Sequence, residues 1–210
     1  MERRILPRLG AVCGILYVVL ILVGDSVTVG LPLVGDSVTV GLPMELAGMI
    51  LFVPFLGYLW SVLRQAEGEG GWLSATAFGA GLMGITIKFA SIAPVLAVNN
   101  MEEGTPLYRS MELMNGASFN LSMFPFAVLA AAVAIVTLKT RVLPAWIGWI
   151  GAVTVPALLV NAMFFYAEFI PAFLLFLLWV ILLSAVLTWR AGSAHVETST
   201  SISPEPARVR

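Results

Sequence analysis

The sequence predicts an all-α protein, a polytopic bundle of about six transmembrane helices, and three observations carry that prediction. The composition is 60% hydrophobic and only 11% charged, with a mean hydropathy of +0.98, whereas about a quarter of residues are charged in ordinary soluble domains. The chain divides into apolar runs close to the ~20 residues that a helix needs to cross the hydrocarbon core. Its lysines and arginines gather at alternate ends of those runs, the bias that orients helices in a bilayer. At 210 residues the chain is read as one helical membrane domain, residues 1–190, followed by a tail, residues 191–210.

The first span covers residues 9–24. Arg3, Arg4 and Arg8 precede it, so a signal peptide competes with a first span. No small-x-small cleavage site follows, which favours an uncleaved helix. The run is short, and a short span is accommodated by local bilayer thinning. Gly10 and Gly14 form a GxxxG pair through which helix backbones approach closely, so a helix-packing partner is expected there.

Residues 22–43 are an identical tandem repeat, LVGDSVTVGLP from Leu22 to Pro32 and again from Leu33 to Pro43. Solenoid repeats are longer and need at least three copies. This pair reads instead as a local duplication that lengthened a surface loop, where insertions are tolerated. Ser26–Val29 and Ser37–Val40 alternate polar and β-branched residues, so a short hairpin is the expectation inside the loop. The two Gly-Asp-Ser triplets resemble a hydrolase signature but have no histidine base nearby.

The second span, residues 44–63, has Glu45 at its start and Pro54 within it. A polar turn, residues 64–71, leads to Trp72 and the third span, residues 73–97, which carries Lys88. A loop with Asn99, Asn100, Glu102 and Glu103 follows. Thr105-Pro106 is a helix start, a capping residue followed by proline at the first helical position. Arg109 and Glu112 precede the apolar run of the fourth span, residues 114–138, so that helix begins outside the bilayer. Lys139 and Arg141 close it. The fifth span covers residues 144–163, and a turn bearing Glu168 leads to the sixth, residues 170–189. The Ser-, Thr- and Pro-rich tail reads as disordered.

With the N-terminus inside, nine of the eleven basic residues fall on inner segments. Arg109 falls outside, and Lys88 lies within a span. Trp60, Trp72, Trp146, Trp149 and Trp189 also sit at inner span ends, as interfacial anchors do. Both termini are therefore expected in the cytoplasm.

Lys88 is the anomaly of the apolar runs. Charges at membrane depth are costly, and each is by default a functional candidate with a partner to be named. Ala77, Gly81, Gly84, Lys88 and Ser91 share one arc of the third helix, a small-residue stripe of the kind that packs against other helices. Its position, about 24 Å along the helix from Trp72, places it in the outer third. That depth lets it snorkel to the outer headgroups, while its facing argues for an outward polar cavity. Depth is given precedence. Glu112 is the preferred counter-ion and Glu45 the second, and Asn115, Asn161 and Glu168 complete the candidate polar cluster at outer span ends. Pro54, Pro125 and Pro156 lie near mid-depth and each frees a carbonyl four residues back. Broken helices surround transporter sites, but prolines are also ordinary in membrane helices.

Other chemistries lack their parts. Cys13 is the one cysteine and His195 the one histidine, so an intrachain disulfide, His/Cys zinc sites and Ser-His-Asp hydrolysis are excluded. The sequence offers no catalytic, cofactor or metal residue, and no basic patch for nucleic acid. The expected partner is the lipid bilayer. Three classes remain: a non-enzymatic membrane component (scaffold, sensor or accessory subunit), a small-solute or ion transporter with an outward cavity at Lys88, and an intramembrane enzyme.

The run Leu143-Pro144-Ala145-Trp146-Ile147-Gly148-Trp149-Ile150-Gly151 after Lys139-Thr140-Arg141 carries a resemblance. So do Glu69-Gly70-Gly71-Trp72-Leu73-Ser74 and Phe173-Leu174-Leu175-Phe176-Leu177-Leu178-Trp179-Val180. Over residues 44–190 the chain resembles small bacterial six-span membrane proteins grouped as a domain of unknown function. The duplicated first loop departs from that pattern. The resemblance implies the six-span fold and a bacterial plasma-membrane location, and assigns no activity or site residue.

Overall fold

The computed structural model describes residues 6–28, 37–98, 101–102, 104–163 and 170–200, with side-chain environments for fewer residues at the two ends and beside the gaps. The described residues form seven helices and no strand: α1 (Leu6–Thr28), α2 (Ser37–Glu67), α3 (Trp72–Ala90), α4 (Ile92–Val98), α5 (Pro106–Thr140), α6 (Ala145–Met163) and α7 (Ile170–Thr200). Six stretches are long and apolar enough to cross a membrane: Arg8–Ser26, Val40–Glu67, Trp72–Val98, Pro106–Thr140, Ala145–Met163 and Pro171–Ala191. The protein is an all-α, six-span membrane bundle.

Three expectations are corrected. The repeat forms no hairpin where it is described, because Ser26–Thr28 continue α1 and Ser37–Val40 open α2. A four-residue alternation is outweighed by helix propagation, which adds one hydrogen bond per residue once a helix exists. Ser26 joins in by donating its hydroxyl to the Leu22 carbonyl, 2.6 Å away. The described parts of the repeat therefore belong to α1 and α2. The third span is not one helix but α3 and α4, which meet at Ser91. Pro94 has no N–H for the Ala90 carbonyl, so the backbone ladder lapses there. Finally, α7 runs on to Thr200, where composition places a disordered tail from residue 191, again because extending an established helix costs little.

The helix ends are set by local chemistry. Thr105 is extended and its Oγ1 accepts from the Tyr108 N–H at 3.2 Å, with Pro106 at the first helical position, as expected. Arg141 closes α5 in the left-handed region (φ 54) and donates its N–H to the Thr137 carbonyl at 2.8 Å. The start of α3 is capped from outside. Glu67, at the end of α2, accepts from the N–H groups of Leu73 (3.0 Å) and Ser74 (2.9 Å), two of the donors that a helix start leaves unpaired. Gly71, at φ 23, leaves its side-chain position to the Arg64 guanidinium.

The spans close into a ring in the order α1, α2, α3, α5, α6, α7 and back to α1, with α5 also touching α2. α5 is the central helix: 67% of its apolar 18-residue stretch is buried, against 33–44% for those of the other five. Its ~52 Å length exceeds the hydrocarbon thickness, and the excess carries exposed Arg109 and Glu112.

The GxxxG pair is used inside the chain. A Cβ on Gly10 would stand 2.7 Å from Tyr58 Cβ of α2, and one on Gly14 would collide with Ser184 Oγ of α7 and approach Phe55 of α2 to 2.7 Å. With its two small residues facing inward, α1 seats against two neighbours of its own bundle. Tyr17 then meets Phe52, ring centroids 4.5 Å apart.

Candidate functional site

Lys88 occupies the last turn of α3, just before the break at Ser91. It is half-buried, and its direction follows from its stripe. Gly81 lies on Leu56 of α2, and Gly84 lies on Phe126 of α5. Lys88 continues that face toward the bundle, and its Nζ stands 4.2 Å from the centroid of the Phe119 ring on α5. An ammonium over an aromatic face is attracted by the ring quadrupole. Ser91 donates its hydroxyl to the Lys88 carbonyl at 2.7 Å, which ties the break to the lysine's own turn.

Behind Phe119 the bundle interior is aromatic. Phe119 meets Phe173 edge-on at 5.0 Å, Phe173 stacks on Phe176 at 6.3 Å, and Phe176 stacks on Phe126 at 4.7 Å. Phe126 meets Phe52 edge-on at 6.1 Å, and Phe176 lies 6.0 Å from Trp179. Buried Trp179 donates its indole N–H to the Ile147 carbonyl at 3.2 Å, so even this polar handle is spent on backbone. Buried hydroxyls do the same: Ser74 bonds Gly71, Ser122 bonds Phe119 and Thr154 bonds Ile150, at 2.6–2.9 Å. The axis is packed side chain from α2 to α7.

The other candidates are distributed around this feature. Glu112, Asn115, Phe119 and Ser122 share one face of α5 by helical spacing. Asn115, half-buried, is one turn outward from Phe119, and exposed Glu112 is about two turns outward. Glu45 is half-buried on the side of α2 that packs on α1, its Cγ 2.7 Å from where a Cβ of Gly24 would be. Asn161 is buried on α6. Glu168 lies outside the described residues. One direct contact of Lys88 is the Phe119 ring, a residue that charge alone does not single out because it carries none.

Asn120 was also missed. It is 1% exposed, and neither its amide oxygen nor its amide nitrogen has a hydrogen-bond partner. The signal was available, since it is an amide well inside the apolar run of the fourth span. Contacts of Gly148 with Leu138 and of Gly151 with the Ala130 carbonyl set the antiparallel register of α5 and α6. That register puts Asn120 and Asn161 at nearly the same depth. An apolar groove of about 530 Å³ opens between α2 and α3, lined by Met49, Ile50, Val53, Pro54, Leu82 and Phe89 among others. Among the described residues no group of three His, Cys, Asp or Glu side chains comes together to hold a metal ion.

Comparison with known proteins adds no assignment: no family model, curated protein or solved structure matches the chain.

Proposed function

We propose that this six-span protein is a non-enzymatic component of a bacterial plasma membrane, a scaffold, sensor or accessory subunit, within the group of small six-span proteins that its Trp/Gly/Pro runs resemble. The observation that carries this reading is the packed aromatic axis, Phe52, Phe126, Phe173 and Phe176. A transport pathway needs polar, hydrated walls near the midplane, whereas here aromatic rings stack across it. The buried hydroxyls of Ser74, Ser122 and Thr154 are bonded to backbone carbonyls three or four residues back. The test is a flux assay with purified protein in vesicles, across monovalent ions and small solutes. Flux equal to that of empty vesicles supports the reading, and flux abolished by Lys88→Met overturns it.

The second reading, a transporter with an outward polar cavity, draws on one specific observation. Lys88 faces α5 rather than lipid, beside the α3–α4 break. It requires water at Lys88 and Glu112. Cysteines placed at both positions, in a chain whose Cys13 is replaced, should then react with a water-soluble maleimide. Reaction at position 112 alone leaves the first reading standing.

A further inference from the structure

One end of the bundle gathers the start of α1, the α2–α3 turn, the α5–α6 turn and the stretch of α7 around Arg190. Arg8, Arg64, Lys139, Arg141 and Arg190 are all exposed there. Two of them, Arg8 and Arg190, come level with each other at one helix seam. Where α1 packs on α7, Gly14 meets Ser184, and as first and sixth spans the two helices run antiparallel. Along that seam Ala11 is level with Leu187 and Val18 with Val180, and all four are buried. Continuing outward with the same spacing, Arg8 of α1 is level with Arg190 of α7. Each follows the last buried residue of its stripe by three positions, close to one helical turn. The two guanidinium-bearing residues thus emerge on facing helices at the rim of one seam, beside Trp189, which is 75% exposed.

Like charges set across a helix seam repel unless an anion lies between them. The carboxylates of this end whose side chains are described, Glu67 and Glu69, belong to the end of α2 and the α2–α3 turn, and Glu67 is held by the Leu73 and Ser74 amides. Exposed tryptophan marks the headgroup level of a membrane, so the medium at this depth is a layer of phosphates. Guanidinium groups suit phosphate oxygens through paired N–H donors. A zwitterionic lipid would bring its own ammonium to the same place, whereas a lipid of net negative charge would not.

We propose that the α1–α7 rim is a binding site for an anionic phospholipid. Arg8 and Arg190 hold its phosphate, Trp189 lies beside the glycerol region, and the acyl chains run along exposed Leu9 and Leu16 of α1. Among the described residues, this is the seam whose stripe is closed by two of the rim arginines.

The experiment uses the full chain in phosphatidylcholine vesicles that contain a minor fraction of dibrominated lipid, either phosphatidylglycerol or phosphatidylcholine. Bromine quenches nearby tryptophan, and the difference between the intact protein and Trp189→Phe isolates the signal of Trp189. Brominated phosphatidylglycerol should quench Trp189 more strongly, with an enrichment of about fivefold for each arginine. The preference should vanish in Arg8→Gln/Arg190→Gln and persist in Arg8→Lys/Arg190→Lys, with helix content unchanged by circular dichroism in both. Equal quenching by the two lipids in the intact protein overturns the proposal, as does a preference that survives the double glutamine variant. Inorganic phosphate in the buffer separates the sources: a preference that resists it supports a lipid site, and one abolished by it at constant ionic strength reassigns the rim to a free anion.

Discussion

The ammonium of Lys88 sits 4.2 Å above the ring of Phe119, so the lysine in an apolar span is held by an aromatic face on the central helix. Such pairs contribute about 0.5–1 kcal/mol when exposed and about 2 kcal/mol when desolvated. Lys88 is half-buried, so a coupling of about 1 kcal/mol is expected. A double-mutant cycle of Lys88→Met and Phe119→Leu, read by unfolding in mixed detergent, measures it. Additive single-variant effects would show that the ring contributes nothing to the lysine's placement.

Gly14 lies where α1, α2 and α7 converge. A methyl there meets Ser184 Oγ and comes within 2.7 Å of Phe55. Overpacking of this kind costs about 1–3 kcal/mol. Gly14→Ala should lower the unfolding free energy by that amount, and Ser184→Ala should recover part of the loss. The recovery is the informative part, since Ser184 Oγ has no hydrogen-bond partner to forfeit. A double variant no better than Gly14→Ala alone would place the conflict at Phe55.

Glu67 does the work that a capping residue at the start of α3 would otherwise do. Losing a helix cap costs about 0.5–2 kcal/mol. Glu67→Ala should therefore destabilise the protein within that range and raise amide hydrogen exchange at Leu73 and Ser74, the two donors it now satisfies. Unchanged exchange at both would mean that water caps α3 equally well.

Asn120 offers the opposite sign. A buried amide without partners pays its desolvation without return, about 1–3 kcal/mol. Asn120→Leu, which keeps the branching and the number of side-chain heavy atoms, should leave stability unchanged or raise it. A marked loss of stability on this substitution would reveal a polar partner for the amide in the membrane, and Asn161 at the same depth makes α6 the place to look.

Orientation is tested by labelling. With Cys13 replaced, a cysteine at Glu69 should react only after the vesicle or cell is opened to the cytoplasmic side. A cysteine at Glu102 should react from outside. The reverse pattern would show that the positive bias of Arg8, Arg64, Lys139, Arg141 and Arg190 does not set this protein's topology.

The amino-acid pattern by itself determined the six spans, and their ends agree with the structure to within about a turn or two except at the long start of α5. That part was legible because the bilayer acts on composition: an apolar run of about 20 residues has one low-energy place to go. Thr105-Pro106 and Lys139–Arg141 were legible as helix ends for a similarly local reason, since caps depend on a few neighbouring residues. Tertiary structure alone decided what those helices meet. Lipid tails are as apolar as leucine, so no hydrophobic contrast in the sequence says which face turns inward. Shape settles it instead, through Gly14 under Ser184, Gly84 under Phe126 and the Phe119–Phe173–Phe176 stack. For that reason the sequence could name Lys88 as the unusual residue, yet only the packing of α3 on α5 could name Phe119 as what holds it.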